Sequence, residues 1–128
     1  MLSILAGFMI GVGGTVYLTV GGPVGAFLFA TGLFTIITFK LELFTGKAGL
    51  LATREISGRK LTEIWCGNFI GTMLAALGGS VGPNHVLLEG KAAAIVQAKL
   101  ANGTIENFIA AIFCGLLMYV AVSGFAKN

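Results

Sequence analysis

The stretch that decides the fold runs from Phe29 to Gly49, FATGLFTIITFKLELFTGKAG. It opens as an apolar run fit to cross a membrane. Lys40 and Glu42 then interrupt it, followed by Leu43, Phe44, Thr45 and Gly46, before the chain turns apolar again at Ala48. A charged, glycine-containing break is costly in lipid and survives only where protein or a water-filled cavity receives it. Val24 to Phe39 makes about 24 Å of helix at about 1.5 Å per residue, short of a hydrocarbon core about 30 Å thick. The apolar run resumes at Ala48 and reaches Thr53. The second span, 24–53, is therefore expected as two half-helices joined by an irregular loop over 40–47.

The composition supports a membrane setting. The chain has 128 residues, 56% of them hydrophobic and 10% charged, with a mean hydropathy of +0.96. A soluble domain carries roughly 25% charged residues, so this chain has too few to cover a surface facing water. We read it as a single all-α integral membrane domain over residues 1–128. The 20 glycines fit close helix packing in a bilayer. The basic residues are scattered, with no polybasic or aromatic-interleaved patch, so nucleic-acid binding is not expected. Cys66 and Cys114 sit in apolar runs without a second ligand at metal spacing. They read as small buried membrane residues, and no metal or cofactor is expected.

Outward from the break, about four transmembrane helices are expected. The first runs from Leu2 to Val20, with no basic region before it, and reads as a retained span rather than a signal peptide. Gly7, Gly11 and Gly14 recur near one face as a small-residue seam, for which helix packing is favoured over a backbone-lined conduit. Gly21-Gly22-Pro23 is a tight turn. Arg54 to Lys60, REISGRK, is the clearest polar loop and by the positive-inside rule is cytoplasmic, which also places the N-terminus inside. The third span, Leu61 to Leu77, carries Trp65 as an interfacial anchor and a second seam at Gly67 and Gly71. Asn68 between them is expected to hydrogen-bond across helices, with pore lining the lesser alternative.

Gly78 to Pro83 reads as an external turn. Val86 to Leu100 is interrupted by Glu89, Lys91, Gln97 and Lys99, and reads as an amphipathic helix at the outer surface. His85 is expected exposed in the turn before it. After Asn102-Gly103, Thr104 or Asn107 is available to cap the last span, Ile105 to Val122. Lys127 suits a cytoplasmic end. Ala6, Gly11 and Val16 of the first span align with Ala110, Gly115 and Val120 of the last, a hint of an inverted repeat begun and not finished.

No nucleophile–base pair, carboxylate pair, phosphate loop or metal spacing appears, so no enzyme is expected. The break is the candidate site. Lys40 and Glu42 can neutralise each other, while Thr45, the loop amides and a half-helix beginning near Gly46 offer donors and positive potential to a small anion. The alternative is that Lys40 and Glu42 only mark the membrane boundary.

Leu43-Phe44-Thr45-Gly46 after Glu42 resembles the second-helix break of the formate/nitrite transporter family. Ala6-Gly7, Gly67-Asn68 with Gly71, and Cys114 with Ala121-Val122 also resemble family positions, so the similarity covers nearly the whole chain. The family is a pentamer of aquaporin-like protomers, each with six spans and its own pore for small monocarboxylates, nitrite or hydrosulfide. The resemblance implies that Phe29 and Leu33 face the pore on the outer half of helix two. It implies that Leu43 and Phe44 form an inner constriction and Met118 an outer one. Thr45 resembles the threonine that hydrogen-bonds to the central pore histidine. The sequence departs from the family at Lys40, where a small residue, usually Gly, stands, and at Gly115, often Asn. It resembles the first four of six spans, an aquaporin-like half with an incomplete second repeat and without the break that carries the histidine.

The expectation is a multi-pass protein of the cell (inner or plasma) membrane, a channel or transporter-like protein for small monovalent anions such as formate or nitrite, in truncated form. Its expected partners are membrane lipid, the anion, and copies of itself (a pentamer by resemblance) or a full-length homologue with which it co-assembles. The alternatives are a non-transporting or partner-dependent membrane subunit, or an unrelated small pore former.

Overall fold

The computed structural model describes residues 1–126. The order is α1 (Leu2–Val20), α2 (Gly22–Thr38), α3 (Phe44–Lys47), a 3-10 turn (Ala48–Leu51), α4 (Gly58–Val81), α5 (His85–Ala101) and α6 (Thr104–Ala126), with no strand among the described residues. α1, α4 and α6 are long and apolar enough to cross a membrane, and α2 is a shorter apolar helix of 17 residues. The chain is an all-α membrane protein. Its surface says the same: Phe27, Leu77, Val81, Phe108, Phe113 and Leu117 are all exposed. Apolar side chains on that scale face lipid. Lys127 falls outside the described residues.

α1 is the central helix, and small residues let two neighbours approach it closely. Against α4, a Cβ on Gly7 would meet the backbone of Asn68, one on Gly11 the Ala75 Cβ, and one on Gly71 the carbonyl of Ile4. Gly67 faces the Ser3 side chain in the same way. These pairs ascend together in number, so α1 and α4 run parallel. Gly14 lies outside the seam, with nothing within 4 Å of its Cβ position. Against α2, a Cβ on Gly13 would meet the Phe29 carbonyl at 3.1 Å and one on Gly32 the Met9 carbonyl at 2.7 Å. Those pairs run in opposite order, the antiparallel hairpin required by the turn at Gly21 and Gly22. Both turn glycines hold positive φ, 72° and 60°, which only glycine adopts without cost.

The polar connections are shorter than the sequence suggests. Ser57 caps α4, its hydroxyl accepting from the Lys60 amide at 3.3 Å, so the helix begins three residues before Leu61. It also runs through Gly78, Gly79 and Ser80, which were expected as a turn. In an apolar setting helix is the cheapest way to satisfy each backbone group, and a Cβ on Gly79 would lie 3.4 Å from Leu88 of α5. Lys91 ties α5 to the end of α1, donating to the Thr19 carbonyl at 3.3 Å, as a cation at a helix C-terminus should. Asn107 does not cap its own helix. Its amide donates back to the Lys99 carbonyl at 2.8 Å, while Glu106 accepts from the Gly103 amide at 3.2 Å.

Candidate functional site: the broken second helix

α2 ends at Thr38, and the chain reverses locally through Lys40, whose φ is 51°. Leu41 then donates to the Ile36 carbonyl at 2.9 Å. Leu43 is driven into the small core made with Ala6 and Ile36, against which Leu33, Met9, Ile10, Leu41 and Met118 pack. The second half-helix is slighter than expected. It begins at Phe44, not near Gly46, and turns 3-10 after one α-helical turn. So short a helix aligns few peptide dipoles, so the break offers less positive potential than two full half-helices would. α6 lies along it: a Cβ on Gly46 would meet Val122 at 3.0 Å and one on Gly49 would meet Tyr119 at 2.5 Å.

The charges pair differently from expectation. Lys40 and Glu42 do not neutralise each other. Glu42 is bridged by Lys47 at 3.3 Å and by Lys60 of α4 at 3.3 Å, while Lys40 is exposed and has no ion pair among the described residues. The left-handed turn at Lys40 sends its side chain away from the carboxylate two residues on. Asn68 then fastens the loop backbone. It accepts from the Phe44 amide at 2.8 Å and donates to the carbonyls of Glu42 at 2.8 Å and Ser3 at 2.7 Å. The Phe44 amide, the first donor of the half-helix, is thus already used.

Behind the break lies a cavity of about 400 Å³. Leu43, Phe44 and Thr45 line it from the break, Phe29 from α2, Cys114 and Met118 from α6, and Trp65, Phe69 and Thr72 from α4. Leu33 packs on the core cluster instead. The wall is carbon for the most part. Trp65 and Phe69 stack with ring centroids 6.0 Å apart, so Trp65 faces the cavity as well as sitting a short way into its helix. The Thr72 hydroxyl shares its hydrogen between the carbonyls of Asn68 and Phe69, whereas the Thr45 hydroxyl and the Thr45 and Gly46 amides have no hydrogen-bond partner among the described residues. Among the described residues no carboxylate, histidine or lysine lines the cavity. His85 lies far along the chain, exposed at the start of α5, its Nδ1 3.2 Å from the Gly82 carbonyl.

Cys66 and Cys114 are exposed on this chain and not buried. Cys114 lines the cavity behind the break, and Cys66 lies beside Ser3 and Ile4 at the start of α1. Among the described residues no cluster of metal-ligating side chains forms.

Residues 1–127 match the sequence model of a family described as formate/nitrite transporter. The chain belongs to the formate/nitrite transporter family. The match extends from the first helix through the break to the last described helix, so the family's pattern runs through the whole of this fold. Neither the curated proteins nor the solved structures gave a match. Asn68 is the residue whose role the sequence left open between a helix–helix bond and a pore wall. It both makes the bonds and touches the cavity, and its polarity inside an apolar span was the signal.

Proposed function

We propose that this membrane transporter chain forms half of a pore for a small monovalent anion, formate, nitrite or similar, in the cell membrane. The observation that carries the reading is the convergence of Phe29, Leu43, Phe44, Thr45 and Met118 on one apolar cavity. An anion loses its water in such a place, and an unpaired ion in an apolar wall is costly. The neutral acid passes at far lower cost, so transport favours the protonated species. Thr45 offers one hydroxyl to orient it. The proton donor comes from outside the cavity walls described here. By the family resemblance it is the histidine of a second helix break, in further chain or a second polypeptide.

Arg54, Arg59 and Lys60 lie at the end where α1 begins, and the positive-inside rule puts that end in the cytoplasm. The protein works as a homo-oligomer, a pentamer by resemblance. Formate or nitrite flux into proteoliposomes of the purified chain tests whether this half transports by itself. No flux above that of empty vesicles would sink independent transport.

A second reading is favoured by the open side of the cavity. α6 packs on α3 and the 3-10 turn, but not closely on α4, so Trp65 remains 53% exposed. In that reading the chain is a subunit that transports only when co-assembled. Co-purification with a six-span homologue supports it, whereas a clean homo-oligomer on native gels that carries flux argues against it.

A further inference from the structure

We infer that Asn68 is a positioning residue, a three-bond clamp that aims Leu43, Phe44 and Thr45 at the cavity. The inference rests on the reading of that cavity as a pore. The Asn68 side chain grips the break on both sides of Leu43: it donates to the Glu42 carbonyl and accepts from the Phe44 amide, each at 2.8 Å. Both peptide groups flanking Leu43 are therefore fixed, and the Leu43 side chain is held inward at 6% exposure. The second amide hydrogen goes to Ser3 at the start of α1, at 2.7 Å, so one side chain ties together α1, α4 and the break.

Only one orientation of the amide works, because Nδ2 faces two carbonyls and Oδ1 faces an N–H. No other residue type replaces it. Aspartate has no hydrogen to donate, serine has one, and glutamine is a carbon too long for a seam in which Gly67 and Gly71 already bring α4 against α1. The clamp is separate from the ion pairs, since Lys47 and Lys60 hold the Glu42 carboxylate and Asn68 holds its carbonyl. The loop is thus fixed by neutral hydrogen bonds in the membrane and by charges at its edge.

The test is amide exchange and thiol labelling on the full chain in detergent micelles. In the wild type the Phe44 amide is expected to exchange about tenfold slower than in Asn68→Ala, the effect of one hydrogen bond of ordinary net strength. Exchange within α1 and α6 should be unchanged. With Cys66 and Cys114 replaced by serine, a Leu43→Cys thiol should label about tenfold faster in both Asn68→Ala and Asn68→Asp. Thr62→Ala, on the same helix, should leave both readouts alone. Aspartate keeps the acceptor for Phe44, so only alanine should free that amide. Equal Phe44 exchange in wild type and Asn68→Ala overturns the clamp, as does loosening spread evenly over all helices. If neither variant folds, a wild-type Phe44 amide that exchanges as fast as that of Glu42, whose N–H has no partner among the described residues, overturns it. A chain that protects Phe44 but passes no anion overturns the transport reading and leaves the clamp standing.

Discussion

Lys60 reaches Glu42 across eighteen positions of sequence, its Nζ 3.3 Å from Oε2, while Lys47 holds the other carboxylate oxygen at the same distance. The pairing fixes the entry of α4 to the break. Glu42→Gln removes the shared charge and leaves two lysines facing each other, so it should cost more than losing either lysine. We expect a loss of roughly 1 kcal/mol for Glu42→Gln and about half that for Lys60→Met, as for partly exposed ion pairs. Thermal melts in detergent check the order. The gap should narrow at about 1 M salt, where the Debye length falls to about 3 Å.

Lys40 stands with φ 51° in the turn out of α2. A side chain there costs roughly 1–2 kcal/mol relative to glycine, which gives a physical reason for the small residue that the family has at this point. Lys40→Gly should therefore raise the melting temperature. It should also separate two roles. If Lys40 faces the permeating anion, flux in an assembled complex changes. If it is a boundary anchor, flux stays and only the depth reported by cysteine labelling of the loop moves.

The small residues divide into those that touch and those that do not. A Cβ on Gly71 would collide with the Ile4 carbonyl and lie 2.5 Å from the Phe8 amide nitrogen, whereas Gly14 has open space. Gly71→Ala should cost about 1–3 kcal/mol by forcing α1 and α4 apart. Gly14→Ala should be neutral or stabilise by about 0.5–1 kcal/mol, the ordinary helix gain. Equal melting temperatures for the two variants would contradict the seam.

What was legible in the sequence followed from solvent. In lipid the apolar runs must be helical, so α1, α4 and α6 could be read from length and hydropathy, and the break from Lys40 and Glu42. What was not legible was pairing. Glu42's distant partner Lys60 is the last residue of the REISGRK loop, eighteen positions away, and nothing in a one-dimensional pattern brings the two together or says that Lys40 does not pair with Glu42. The α1–α2 seam at Gly13 and Gly32 was missed for a related reason: glycines at packing spacing look alike whether they meet α2, α4 or nothing. Asn68 was visible as a polar residue between glycines, but its two partners in the break became definite only once α4 was placed parallel to α1.

Val122 of α6 rests against Gly46 of the half-helix. A Cβ on Gly46 would meet three atoms of the valine side chain at 3.0, 3.1 and 3.2 Å, which is how α6 comes to lie against the break. Gly46→Ala must push Val122 and with it α6, away from the half-helix, at a cost of about 1–2 kcal/mol. Val122→Ala alone removes methyl groups from a half-buried position and should cost about 0.5–1.5 kcal/mol. Together the two substitutions refill the space that each disturbs. The double variant should then be more stable than the sum of the singles by about 1 kcal/mol, the coupling of residues in direct contact. Strict additivity in a thermal-melt cycle would mean that α6 does not rest on the break as described, and Met118 would then lose its place on the cavity wall.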